Sequence, residues 1–253
     1  MPLPTYDDVL AAAARIAPHA HATPVLRSRA LDALAGCELH FKAEPLQRTG
    51  AFKFRGACNA VWALDEATAA RGVVTHSSGN HGAALALAAR TRGIPCHVVV
   101  PEGANAAKRA NIARQGATLH TCAATIAARE ATAARVQADT GARLIHPYTD
   151  PHVIAGQGTA ALELINAKGP LDVLVAPVGG GGLLSGTALA VAATASGCRV
   201  MGAEPTGAAD AAESLAAGEL RVDFIPDTLC DGLRGTLGAP NFALLRAHRV
   251  EVV

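Results

Sequence analysis

Three short segments of the 253-residue chain hold residue types and spacings that do chemistry. The first is Thr49-Gly-Ala-Phe-Lys-Phe-Arg-Gly56, in which Lys53 stands between Phe52 and Phe54 at the start of a predicted helix running to Ala70. The helix macrodipole and desolvation both disfavour a cation there. The neutral amine they favour is a nucleophile toward carbonyl compounds and forms Schiff bases. A solvated surface lysine is the competing reading of the same residues. The second segment is Ser77-Ser-Gly-Asn-His-Gly82, between a predicted strand Val73–His76 and a predicted helix from Ala83. Small hydroxyls, glycine and Asn80 at such a turn expose N–H groups that suit a carboxylate. An ordinary helix cap by Ser77 or Ser78 uses the same residues. The third is Val178-Gly-Gly-Gly-Gly-Leu-Leu-Ser-Gly186, after a predicted strand Leu171–Val178. Four glycines let the backbone wrap an anion at the positive end of a helix. Neither G-x-G-x-x-G nor G-K-[ST] fits in any register, so this is not a dinucleotide fingerprint or a Walker loop. A tight strand–helix junction without a ligand is the alternative.

The elements that must position these segments follow from a repeated unit. A glycine leads directly into an apolar, β-branched-rich run at Gly72, Gly93, Gly116, Gly141, Gly169 and Gly197. Alanine-rich segments lie between the runs: Ala83–Arg92, Ala104–Gln115, Ala123–Thr140 and Leu183–Ser196. Alanine favours helix, and glycine after the last turn ends it in the left-handed conformation. Short apolar strands alternating with helices predict βαβ units, buried parallel sheets and an α/β fold, with ligands collecting at the strands' carboxyl ends. Asp7–Ala17 is predicted helical, and Glu38–Glu44 and Val250–Val253 are predicted strands.

Composition narrows the function classes. Hydrophobic residues make up 50% of the chain, charged residues 17% and aromatics 3%, with a net charge of +1. The core must therefore be packed from Ala, Val and Leu, and no global basic field exists to draw nucleic acid or an anionic membrane. Val173–Cys198 carries no charge, but Pro177 and its glycines argue for strand, loop and helix rather than a membrane span. No basic and apolar leader opens Met1–Ala20, and six cysteines without C-x-x-C spacing are expected to be buried thiols of a cytoplasmic protein.

A Schiff-base lysine, an anion-binding turn and a phosphate loop together suit pyridoxal phosphate, whose aldehyde, ring and phosphate need such partners. Their order and sequence, with His146-Pro-Tyr-Thr-Asp-Pro-His-Val-Ile-Ala-Gly-Gln-Gly-Thr159, resemble the fold-type II pyridoxal-phosphate enzymes, in particular the serine/threonine dehydratase and serine racemase family. The resemblance implies two parallel-sheet αβα domains of the tryptophan synthase β-like kind. Residues 1–71 and 150–253 would form a large cofactor-binding domain, and 72–149 a small substrate-side domain. It further implies that Lys53 holds the cofactor and then serves as base, that Phe52 packs on the ring, and that Asn80 bonds the 3′-oxygen. Gly179, Gly180, Gly181 and Gly182, with Leu183, would bind the phosphate, while Ser77, Ser78, Asn80, His81 and Arg129 would bind the substrate. Glu204, Ala208 and Asp210 match the family's divalent-cation site for Mg, Mn or Ca; without that context two carboxylates are a solvated helix start.

The activity implied is dehydration and deamination of L-serine, L-threonine or 3-hydroxyaspartate to a 2-oxo acid and ammonia, by a cytoplasmic homodimer acting on a small amino acid. The alternatives are a serine or aspartate racemase using Lys53 and Ser78, and a catalytically inactive binding homologue. The family's Ser-Gly-Gly-Asn-like segment, expected at the pyridine nitrogen, does not occur in the sequence, which leads to the expectation that a C-terminal part is missing.

Overall fold

The alanine-rich segments form helices and the glycine-led apolar runs form parallel strands in a computed structural model, which describes residues 2–253. In chain order the elements are α1 (Tyr6–Ile16), β1 (Val25–Leu26), α2 (Arg29–Ala35), β2 (Phe41–Lys42), α3 (Lys53–Trp62) and α4 (Glu66–Ala70). There follow β3 (Val73–Thr75), α5 (Asn80–Arg92), β4 (Cys96–Pro101), α6 (Ala106–Arg114), β5 (Thr118–Cys122), α7 (Ile126–Thr140) and β6 (Arg143–Leu144). The remainder comprises α8 (Pro151–Lys168), β7 (Val173–Pro177), α9 (Gly182–Thr194), β8 (Arg199–Ala203), α10 (Asp210–Ala217), α11 (Ala239–Ala247) and β9 (Glu251–Val252).

Two parallel sheets result. One has the order β5-β4-β3-β6 and the other β7-β8-β9, while β1 and β2 pair antiparallel on their own. Left-handed glycines Gly36, Gly93, Gly141 and Gly218 end α2, α5, α7 and α10, as the glycine-cap reading expects. Gly197 does not adopt that conformation, because α9 has already ended at Ala195. The uncharged stretch Val173–Cys198 is β7, the glycine loop and α9, and no described helix is long and apolar enough to cross a membrane.

Several expectations need correction. The predicted Glu38–Glu44 strand shrinks to Phe41–Lys42: the Asp32 carboxylate takes the Leu39 N–H, and Glu44-Pro45-Leu46 turns as a 3₁₀ helix. The helix from Lys53 stops at Trp62 because the Asp65 carboxylate accepts the Thr68 N–H and starts α4 afresh. Of the six thiols only Cys58, Cys96 and Cys122 are buried; Cys37 and Cys230 lie exposed on loops, and Cys198 is intermediate.

α8 is the centre of the packing. A Cβ on its Gly156 would fall 2.6 Å from the Gly56 Cα of α3, and one on Gly186 of α9 would fall 2.5 Å from the Gly158 nitrogen of α8. Backbones this close leave no room for side chains, so the three helices are locked in rotation and height. Gly156→Ala is therefore expected to push α3 off α8 and cost about 1–3 kcal/mol by overpacking. Guanidinium unfolding would read the loss, and an unchanged midpoint would contradict the close contact.

Candidate active site

α10 and α11 start behind Ala209 and Gly238 without a side-chain cap bond, whereas five other helices begin under side-chain caps: Ser28 on α2, Asp65 on α4, Asn105 on α6, Thr125 on α7 and Asp150 on α8. The three helices that open from the chemistry-bearing segments do not. α3 starts behind Phe52, α5 behind Gly79 and α9 behind Gly181, none with a side-chain cap bond. The first-turn N–H groups of α5 and α9 keep the unpaired donors and positive field of a helix start, whereas in α3 the Ala51 and Phe52 carbonyls and the Gln157 Oε1 accept the N–H groups of Phe54, Arg55 and Gly56. The helix-cap reading of Ser77 and Ser78 is thereby overturned. The Ser77 hydroxyl accepts only the N–H of Gly79, at 3.5 Å, and that bond shapes the turn without capping α5.

Lys53 is the first residue of α3. Its stem is partly exposed, but its amine lies deep among protein atoms, and burial lowers it from 10.5 to about 8. Among the described residues the amine has one hydrogen-bond partner, the Pro147 carbonyl at 3.0 Å, and no carboxylate partner. The Phe52 ring lies 5.2 Å from Nζ and gives what cation stabilisation there is. The solvated-lysine reading therefore fails at this residue.

Two histidines, His81 and His146, lie within electrostatic reach of that amine, and His76 packs edge-on against His146 at 5.1 Å; all three are lowered below the ordinary imidazole value. Burial, then Lys53 and His146, keep His81 well below the usual imidazole range. His146 is pushed to about 4 by burial, then by His76 and Lys53, and burial lowers His76 as well. His146 Nδ1 accepts the backbone N–H groups of Tyr148 (3.4 Å) and Thr149 (3.2 Å), which assigns its proton to Nε2. The His146–Thr159 stretch stands out in the sequence as a motif without a role in the site. In the fold it contributes the carbonyl that holds Lys53, and its Tyr148 ring lies flat against Gly180, where a Cβ would sit 2.2 Å from the ring.

The glycine loop itself fits a phosphate. Gly181 has φ +88° and precedes α9, and among the described residues no protein acceptor takes the N–H of Gly179, Gly180 or Gly181. Leu183 follows in the first turn, partly buried. Free donors at a helix start, beside a desolvated amine, match an aldehyde that carries a phosphate. Ser77, Ser78 and His81 line the neighbouring turn, with Asn80 exposed as the first residue of α5. Arg129 of α7 lies within electrostatic reach of His76, with its Nε buried and unpartnered.

Glu204, Ala208 and Asp210 gather after β8. Both Glu204 oxygens accept α10 amides, from Ala211 (3.3 Å) and Ala212 (2.9 Å), and Asp210 Oδ2 accepts the Leu237 N–H at 2.7 Å. Burial lifts Glu204 to about 7 against the Ala212 hydrogen bond, with Asp210 adding to the rise. Burial raises Asp210 too. A partly buried Glu204 and a buried Asp210, with the Ala208 carbonyl of the turn between them in the chain, offer the all-oxygen donor types that hard cations take. No group of three His, Cys, Asp or Glu side chains suited to a metal occurs among the described residues.

The lowered lysine makes a kinetic prediction. Only the neutral amine attacks an aldehyde, so uptake of pyridoxal phosphate by the apoprotein is expected to rise about tenfold per pH unit below pH 8 and to level off above it. Absorbance-followed uptake from pH 6 to 10 checks this. A rate still climbing at pH 10 would mean an unperturbed lysine.

Known proteins share this architecture and much of this sequence. A family profile described as pyridoxal-phosphate dependent enzyme matches residues 16–253. The chain is 48% identical over 252 residues to a beta-hydroxyaspartate dehydratase of Paracoccus denitrificans (strain Pd 1222), covering 100% of this chain and 80% of that protein. It is 50% identical over 239 residues to a serine racemase of Arabidopsis thaliana, covering 94% and 72%. The solved structure of maize serine racemase superposes with a TM-score of 0.96 at 46% identity, covering 100% of this chain and 77% of that one. With a desolvated lysine and an uncapped glycine loop in the expected places, the chain belongs to the pyridoxal-phosphate dependent enzyme family, in its fold-type II form.

Proposed function

We propose that the chain eliminates water from a hydroxy amino acid, L-serine, L-threonine or 3-hydroxyaspartate, and releases a 2-oxo acid and ammonia. The observation that carries this reading is the Lys53 amine, desolvated, without a carboxylate partner, and set among uncapped helix starts. Bound pyridoxal phosphate supplies the electron sink at the substrate Cα. Lys53 would hold the cofactor through its amine and would serve as the base for the substrate Cα proton; an amine lowered to about 8 suits both tasks. Phe52 packs against the ring and Asn80 bonds its 3′-oxygen. The N–H groups of Gly179, Gly180, Gly181, Gly182 and Leu183 receive the phosphate. Ser77, Ser78, Asn80 and His81, with the open first turn of α5, bind the substrate carboxylate, and Arg129 is the further cation facing the substrate. The β-hydroxyl leaves as water, and hydrolysis of the unsaturated product consumes one water and frees ammonia.

Racemisation is the second reading. The Ser78 hydroxyl caps no helix and forms no hydrogen bond among the described residues, so it is free to exchange a proton on the substrate face opposite Lys53. An inactive homologue kept for binding has no need of a lowered lysine, which favours the enzymatic readings. The reading extends to a Mg, Mn or Ca ion held by Glu204, Asp210 and the Ala208 carbonyl, and to a cytoplasmic homodimer. It also includes a division into 1–71 with 150–253 and 72–149, a split supported by the origin of one whole sheet in Val73–Leu144.

A 2-oxo acid assay across serine, threonine and 3-hydroxyaspartate, with chiral analysis of residual serine, tests the reading. Elimination should persist in Ser78→Ala while D-serine disappears. Lys53→Ala should lower turnover by about 10²–10⁴. D-serine formed without any 2-oxo acid would transfer the chain to the racemases.

A further inference from the structure

Asn241 lies outside every segment considered so far, in the first turn of α11, and its side chain is fully buried. Its Nδ2 donates to the Gly180 carbonyl at 2.5 Å and to the Tyr148 carbonyl at 2.9 Å. An amide nitrogen has two protons, and here each has a carbonyl, so the amide cannot be reversed without setting oxygen against oxygen. Oδ1 is buried without a partner, as expected where orientation is dictated wholly by the nitrogen. The Gly180 carbonyl also accepts the Gly238 N–H at 3.2 Å.

A peptide unit is planar and trans, so its C=O and N–H point in opposite directions. Drawing the Gly180 carbonyl toward Asn241 and Gly238 therefore turns the Gly181 N–H the other way, where among the described residues no protein acceptor meets it. Gly181 cannot be replaced as a means of fixing the loop: it has φ +88°, and a Cβ there would meet the Asn241 Cβ at 2.8 Å. At its other acceptor Asn241 holds Tyr148, whose neighbour Pro147 accepts the Lys53 amine. One buried amide thus joins the loop of free N–H donors to the loop that seats the lysine.

We propose that Asn241 is the positioning residue that aims the glycine loop's N–H groups at the cofactor phosphate and sets that loop's distance from Lys53. The inference rests on the phosphate role assigned to Gly179–Gly182. Asn241→Asp replaces the two-proton Nδ2 with a single oxygen facing both carbonyls, and Asn241→Thr keeps one donor for two acceptors. The dissociation constants of pyridoxal phosphate and of pyridoxal, which lacks the phosphate, would be measured by equilibrium dialysis on both variants and the parent protein. Bound ³¹P resonances and circular dichroism would accompany them.

The parent should prefer the phosphorylated ligand. Asn241→Asp should weaken pyridoxal phosphate by about tenfold or more, with Asn241→Thr in between and a shifted ³¹P signal, while pyridoxal changes by less than about twofold. Should the Asp variant fail to fold, the Thr variant carries the same comparison. Unchanged pyridoxal phosphate affinity, or equal losses for both ligands, would overturn the assignment of Asn241. A parent protein that binds both ligands alike would overturn the phosphate reading beneath it.

Discussion

The site depends on how closely α3, α8 and α9 approach one another. Gly56 meets Gly156 and Gly158 meets Gly186 at backbone distance, each glycine a few residues into its helix. The helices therefore run side by side from a common end. Their starts, Lys53 on α3, the 146–150 loop before α8, and Gly182 on α9, converge there. Placing like dipole ends together is unfavourable without a counter-charge. Asp150 caps α8 and Gln157 takes the Gly56 N–H of α3, while the start of α9 stays open, so the unmet positive field is concentrated at the glycine loop beside the lysine. The packing that stabilises the core is also what builds an anion site with an amine beside it.

Two cations on the same turn of α3 show how partners decide charge. Arg55, two residues after Lys53, is fully buried, yet the Glu44 and Glu163 carboxylates at 2.8 and 2.7 Å outweigh desolvation and raise it further. Thr23 and Thr159 hydroxyls take other guanidinium protons, and Lys42 shares Glu163. Lys53 has a single carbonyl partner among the described residues and only His81 and His146 as titratable neighbours within electrostatic reach, so desolvation prevails and the amine falls to about 8. Arg55 points into an ionic cluster that ties α3 to α8 and to β2; Lys53 points where no carboxylate reaches. The position of carboxylates around α3 separates a structural cation from a reactive amine.

What the sequence made legible was local. Glycine-led strands, alanine-rich helices and the three polar segments each follow from neighbours in the chain, and the parallel sheets followed from their alternation. What escaped involves distant partners or backbone atoms. The Pro147 carbonyl bonds Lys53 across 94 positions, and Asn241 reaches Gly180 across 61; neither a carbonyl nor a lone asparagine has a motif. The Glu38–Glu44 strand failed for the same reason, since Asp32 from the preceding helix takes the Leu39 amide that a ladder would have used. The cysteines were misjudged because burial belongs to the fold and not to the residue type.

The carboxylates after β8 show why structural and ligand roles must be separated in this protein. Asp210 accepts the Leu237 N–H, Gly238 donates to Gly180, and Asn241 follows three residues later. The segment Leu237–Asn241 is thus held at one end by Asp210 and at the other by the glycine loop. Removing the Asp210 carboxylate leaves the buried Leu237 amide without its acceptor, at a cost borne by the segment that orients the loop. Removing Glu204 uncovers the first turn of α10 in the same way. Loss of activity in either variant is therefore expected whether or not a cation is bound. Only a measurement of ion binding itself, made with the α10 start and the Leu237 amide still satisfied, distinguishes a metal ligand from a helix cap at these two residues.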